Sequence, residues 1–383
     1  YDNIKPSALI ESSSPNPTND AVIMVTVIFS QPVNGFEMSE INVAGGSIGN
    51  FTGSGTNYSF ELTPSASGPI TVDIPENVAN DDAGNANVAS DQFSIVYDNE
   101  PPSDTGIMIA GDVSHINNIN SILTLSATGA TEMYLTNTAG CGAGGAWENF
   151  AFSKSWTIGQ TNDTAIVYAK YRDSLGNESE CINDDVIHDS IPPQVILAGT
   201  PPVLTNDPNY DFDIQPDTGV DSYQYTLIAS EGLCSAASYN GTWTTEADNI
   251  SGNLDNDGAW KICVIGQDLA GNTQIAGDAT EHVWQYDNNQ PTIVIATNSA
   301  DPTNDSPIEV TVTFSQDVTG FEVNDVVASG SNISNFAGSG SNYSFDLEPD
   351  ASGTITVDIA ADVAVDAASN TNIAASQFSI VYD

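Results

Sequence analysis

An Asp-x-x-small-Asn motif occurs four times in the 383-residue sequence: Asp81 to Asn85, Asp173 to Asn177, Asp268 to Asn272 and Asp366 to Asn370, the last with Ser369 where the others have Gly. Each is preceded by another Asp, at Asp2, Asp98, Asp189 and Asp287, with separations of 79, 75, 79 and 79 residues. Alone, the motif is turn chemistry, because Asp, Gly and Asn accept left-handed backbone and cap their own turns. Brought together in pairs, the carboxylates would repel, and only 5 Lys and Arg stand against 51 Asp and Glu to neutralise them. A hard divalent cation answers that repulsion, and Ca²⁺ suits it because it takes roughly 6–8 carboxylate, amide and carbonyl oxygens in flexible geometry. The eight Asp residues are therefore the candidate metal ligands, and Glu37 and Glu322 are candidate further donors.

The pairs meet only if a repeated fold carries them to the same place. Tyr1-Asp2-Asn3 recurs as Tyr97-Asp98-Asn99 and Tyr286-Asp287-Asn288, and residues 1–98 align without a gap on 286–383. By direct count, 56 of those 98 positions are identical. The spacing divides the chain into four domains, 1–98, 99–190, 191–286 and 287–383, joined by Pro-containing segments that stop a strand from running through. Within the domains the period is two: Ile308, Val310, Val312 and Phe314 alternate with Glu309, Thr311 and Thr313, and Tyr343, Phe345 and Leu347 with Ser344, Asp346 and Glu348. In the middle domains strands are expected near Ile122–Ala127, Glu132–Asn137, Ala165–Tyr171, Tyr210–Ile214, Ser222–Ile228 and Trp260–Gly266. Seven or so short strands per domain, punctuated by Gly, Asn and Pro, predict an all-β protein of four tandem Ig-like antiparallel β-sandwiches in an elongated array. In such a sandwich the loop between the last two strands lies where the chain enters, which would pair each entering Asp with its turn Asp. The Asp20 and Asp305 loops would face the exit end.

The outer domains resemble the bacterial Ig-like (Big) domains found in tandem arrays of adhesins and other cell-surface proteins. The resemblance is carried by Asp301-Pro302-Thr303-Asn304-Asp305, Ile308 to Ser315 and Val318-Thr319-Gly320-Phe321-Glu322, matched by Pro17-Thr18-Asn19-Asp20 and Val33-Asn34-Gly35-Phe36-Glu37. The middle domains are similar to other such modules through Asp173-Ser174-Leu175-Gly176-Asn177 and Asp268-Leu269-Ala270-Gly271-Asn272. It implies an extracellular setting, neighbouring Ig-like domains in a longer array as partners, and interdomain Ca²⁺ at the joins.

Composition narrows the alternatives. A formal charge of −46 excludes phosphate backbones and anionic bilayers as partners, and no apolar run is long enough to span a membrane. The chain shows neither a leading signal segment nor an anchoring tail, as expected of a mature fragment. Four cysteines allow three pairings; the domain boundaries select Cys141 with Cys181 and Cys234 with Cys263, and disulfides place the protein in an oxidising compartment. No nucleophile elbow or phosphate loop accompanies the three His residues, so an enzyme is not expected. Trp147 and Trp243, each following a cysteine, are expected to pack over a disulfide or sandwich edge; as exposed stacking platforms they would instead mark a carbohydrate-binding accessory region of a secreted enzyme. Met24 and Ile28 face outward where the twin domain has Glu309 and Thr313, through drift or for lateral self-association in a filament or surface layer. The reading is a calcium-stiffened stalk segment of a secreted bacterial surface adhesin, with flexible joins once the cation is removed.

Overall fold

Alternation is realised residue by residue. In the strand Ile23–Val33, Ile23, Val25, Val27 and Phe29 are buried while Met24, Thr26, Ile28 and Ser30 are exposed, and Ile308–Val318 repeats the pattern. Pairing such faces across two sheets is the only way to remove both from water, and the computed structural model shows four cores, each enclosed by two sheets. It describes residues 2–215, 219–239 and 241–383, so Tyr1 and Asn240 lie outside the described residues. The chain forms two compact units, Tyr1–Ser190 and Ile191–Asp383.

In the first unit, the first domain sets a sheet of Ala8–Ser12, Ile23–Val33 and Gly46–Pro64 against one of Asn42–Ala44, Gly68–Asp73 and Phe93–Tyr97. Phe29, Phe36 and Tyr58 close its core edge to face, with centroids 5.1–5.9 Å apart. The second domain pairs Ser103–Ile109, Asn120–Thr128 and Ser153–Thr157 against a five-stranded sheet of Trp147–Asn149, Glu132–Thr136, Asp163–Arg172, Ile182–His188 and His115–Ile116. In the second unit, the third domain again has sheets of three and five strands, and the fourth repeats the first with two sheets of three. The expected strands are present, including Asn209–Ile214, Ser222–Ala229 and Gly258–Gln267. Helical turns among the described residues are short 3₁₀ segments, and no helix is long and apolar enough to cross a membrane.

Two local devices position the residues at the joins. The antiparallel register shifts between Ile28 and Val33, and between Thr313 and Val318 in the twin. Such irregularities re-aim side chains, and here Gln31 and Gln316 point toward the Asp-x-x-x-Asn turns. An early segment also pairs in parallel with each domain's last strand, at Thr18 with Tyr97 and Thr303 with Tyr382. This pairing holds Asn19 beside Asp98, through a hydrogen bond from Asp98 N to the Thr18 carbonyl of 2.9 Å.

Both disulfides form as the domain boundaries require, Cys141–Cys181 and Cys234–Cys263. The tryptophans divide. Trp147 packs edge-on to Tyr134 beneath the Arg172 guanidinium, 4.3 Å from its ring, which leaves no open stacking face on that side. Trp243 is 37% exposed, and Trp284 fills the third core. Met24 and Ile28 face solvent as their register dictates, next to exposed Leu9, which pairs with Ile28 across the sheet. Four of the five basic side chains pair with glutamates: Lys154 with Glu148, Lys170 with Glu178, Arg172 with Glu132 and Lys261 with Glu281.

Candidate functional site: the joints

Each Asp-x-x-x-Asn turn is closed by its own first residue. Asp81 Oδ1 accepts the backbone N–H groups of Ala83 (2.9 Å) and Asn85 (2.8 Å), while Gly84 N donates to the Asp81 carbonyl. Asp173, Asp268 and Asp366 likewise accept from Asn177 N, Asn272 N and Asn370 N at 2.8–2.9 Å. The small residue before Asn is needed because φ there is positive: +86° at Gly84, +89° at Gly176 and +85° at Gly271. Ser369 holds the same conformation at +73°, against a steric preference that costs a non-glycine residue about 1–2 kcal/mol. Ser369→Gly is therefore expected to stabilise the fourth domain by roughly 0.5–1 kcal/mol after the added freedom of the unfolded chain is counted. Urea unfolding measures it, and an unchanged midpoint would refute the strain argument.

The Asn that ends the turn then reaches the chain entering the domain. Asn177 Nδ2 donates to Asp173 Oδ2 at 2.7 Å and to the main-chain carbonyl of Asp98 at 3.1 Å. Asn370 Nδ2 does the same with Asp366 Oδ2 (3.0 Å) and the Asp287 carbonyl (2.9 Å), and Asn85 Nδ2 with Asp81 Oδ2 (2.8 Å) and the Asp2 carbonyl (3.3 Å). Gln31 Nε2 adds a second tie, donating to Asp81 Oδ2 at 3.0 Å and to the Ile4 carbonyl at 2.7 Å. Gln316 Nε2 repeats it on Asp366 Oδ2 at 2.8 Å and the Asn289 carbonyl at 2.7 Å.

A third contact comes from the preceding domain. Asn19 of the first domain donates to the Leu175 carbonyl at 2.9 Å and to Asn177 Oδ1 at 3.1 Å in the second. In the other unit, Asn206 of the third domain donates to the Ser369 carbonyl of the fourth at 3.0 Å. The loop was expected at the exit end and lies there, but Asn19 rather than Asp20 makes the contact; Asp20 instead accepts from Ser14 Oγ. The signal was present as the triplet Thr-Asn-Asp at 18–20, 205–207 and 303–305, although the same triplet also stands at 161–163. Sequence reasoning also passed over Asn87, fully buried, whose Oδ1 accepts from Val78 N and Ala79 N and whose Nδ2 donates to the Pro75 and Val88 carbonyls. Asn372 does the same in the twin domain.

The entering Asp and turn Asp do meet, at Asp2 with Asp81, Asp98 with Asp173, and Asp287 with Asp366, through the bridging Asn. Asp189 belongs to the first unit and Asp268 to the second. The chemistry at the three described meetings is not that of paired carboxylates. The entering residue presents its carbonyl, while its carboxylate turns back on its own linker: Asp2 Oδ1 accepts Ile4 N, Asp98 Oδ1 accepts Glu100 N and Asp287 Oδ1 accepts Asn289 N, at 2.9–3.1 Å. Glu37 and Glu322 sit at the N-caps of the 3₁₀ turns Met38–Glu40 and Val323–Asp325. Even in the open cleft of about 380 Å³ lined by Asp2, Asp81 and Asp82, each of these carboxylates accepts an N–H donor. Among the described residues no three His, Cys, Asp or Glu side chains converge as a metal-holding group. This donor set does not fit calcium, which needs several oxygens free to converge on one point.

The same bonds shift a titration. The Asn85 side-chain amide, opposed by partial desolvation and aided by the N–H groups of Asn85, Ala83 and Gly84, holds the Asp81 carboxyl below the usual carboxylate range. A depressed folded value contributes stability above the unfolded carboxylate pKa of about 3.9 and loses it as pH falls through the folded value. Asn85→Ala is expected to move the Asp81 titration back up, read by carboxyl NMR; an unmoved curve would reject the amide as its main cause.

Such sandwiches of antiparallel sheets, joined in tandem, define an Ig-like module array. The bacterial Ig-like domain profile matches residues 2–97 and 287–382, half of the chain, and the protein belongs to that family. No match was found among curated proteins. Similar solved structures include a tetra-tandem repeat in the extending region of a large adhesion protein, 16% identical over 99% of either chain with a TM-score of 0.33. The Escherichia coli adhesin FdeC is 11% identical over 98% of either chain, TM-score 0.22. The chicken CNTN1 FN1–FN3 domains are 12% identical over 73% of this chain and 98% of that one, TM-score 0.26.

Proposed function

We propose that this chain is a spacer segment of the stalk of a bacterial cell-surface adhesin, with the task of holding successive domains in a set geometry. The observation that carries the reading is the repetition of one interdomain clasp in each unit, Asn19 onto the second domain's turn and Asn206 onto the fourth's. A join tied from both sides resists hinge motion, which serves extension rather than a pocket that must open and close. Disulfides in the two middle domains support an oxidising, extracellular location. A strongly acidic surface keeps such a chain soluble and apart from its neighbours. Recognition of a host or glycan target would then belong to other domains.

Antibody labelling of intact and permeabilised source cells tests the reading. Equal labelling of both is the expected result, and signal confined to permeabilised cells would overturn it.

A further inference from the structure

We propose that the side-chain amide of the turn Asn takes the place of a cation at these joints, so that their rigidity is independent of calcium. The inference deepens the spacer reading and rests on the joints being the parts that hold geometry. A bridging cation would have to lie between a turn carboxylate and the oxygen of the entering chain. That position is filled by an –NH₂ group three times over: Asn177 between Asp173 Oδ2 and the Asp98 carbonyl, Asn370 between Asp366 Oδ2 and the Asp287 carbonyl, and Asn85 between Asp81 Oδ2 and the Asp2 carbonyl. Both N–H bonds of each amide are used, and they point in the two directions a cation's ligands would occupy.

The bridge also removes the reason for recruiting a metal. A carboxylate that accepts hydrogen bonds on both oxygens has its charge solvated by the protein: Asp81 and Asp366 each accept four and Asp173 accepts three. The entering carboxylates each accept an N–H from their own linker, and it is the entering carbonyl that the amide contacts. The clasp is completed across the domain boundary by a second amide, since Asn19 Nδ2 donates to Asn177 Oδ1. An amide carries donor and acceptor together, so two Asn residues can link in series where two carboxylates would repel.

Asn177→Asp converts the bridge into a pair of facing carboxylates and should create the cation requirement that the native joint lacks. The test is hydrogen–deuterium exchange on the full chain, in excess calcium and in excess chelator. The readouts are the backbone amides of Asp98 and Asp287, which donate to the carbonyls of Thr18 and Thr205 beside the joints. In the native chain both amides are expected to stay protected, with rates unchanged between the two conditions. In the Asn177→Asp variant, Asp98 exchange should rise about tenfold in chelator, the scale of one lost hydrogen bond, and fall again with calcium while Asp287 stays protected. A native chain whose Asp98 and Asp287 amides open on chelation overturns the proposal. Free exchange in both conditions overturns it equally, because the amide bridge would then not hold the joint. Neither result alters the cell-labelling outcome, so failure here and failure of the adhesin reading are distinguishable.

Discussion

Removing the two disulfides, by Cys→Ala replacement at Cys141 with Cys181 and at Cys234 with Cys263, is expected to split one unfolding profile into two. The closed loops span 40 and 29 residues, and at those lengths the chain-entropy account assigns each bridge about 4 kcal/mol. For domains of this size that is a fall of roughly 15 °C or more in melting temperature. The second and third domains should melt early, while the first and fourth, which have no cysteine, keep their transitions. Cys263 is fully buried and Cys234 nearly so, so replacement is a cleaner test than added reductant, which must wait for the fold to open. Scanning calorimetry reads the outcome. A uniform downward shift of all four domains would mean that they unfold together, against the picture of separate cores.

Asp366→Ala is expected to destabilise the fourth domain by about 3 kcal/mol. Its side chain, 8% exposed, accepts four hydrogen bonds: Ala368 N and Asn370 N at 2.9 Å on Oδ1, Asn370 Nδ2 at 3.0 Å and Gln316 Nε2 at 2.8 Å on Oδ2. Truncation leaves all four donors seeking water in a turn where little is available, and the cost of unsatisfied donors exceeds the worth of the bonds themselves. Asp366→Asn should cost markedly less, since its amide oxygen can still accept the two backbone N–H groups. The alanine variant should also release Gln316 and Asn370 from the entering chain, loosening the 287–291 linker. Urea unfolding together with limited proteolysis near Asn289 checks both effects. A loss below about 1 kcal/mol, with the linker still protected, would mean that water replaces the carboxylate's partners at little cost.

These expectations draw on different depths of information. The repeat, the strands and the disulfides were legible because each is written in local pattern or in self-identity. Alternation such as Ile308-Glu309-Val310-Thr311 tells which face is buried, since successive strand side chains point opposite ways. Two copies of one sandwich declare themselves by matching residues, and domain boundaries then leave each cysteine one partner. The convergence of entering and turn Asp was also legible, because an Ig-like sandwich returns its late loop to the end where the chain enters.

Which atoms meet there was not. Sequence spacing brings Asp98 toward Asp173, but backbone torsions in the linker decide whether Asp98 offers its carboxylate or its carbonyl, and Glu100 N claims the carboxylate. Gln31 and Gln316 reach the turn only through a register irregularity that no alternation pattern reveals. The part of Asn19 depends on parallel pairing of Thr18 with the last strand of its own domain, a contact about 80 residues long-range in sequence. The acidic clusters and their spacing therefore belong to the amino-acid sequence. That the turn Asn amide lies between the turn carboxylate and the entering carbonyl was decided by the tertiary structure, because hydrogen bonds are directional and their directions are set only when both sheets have packed.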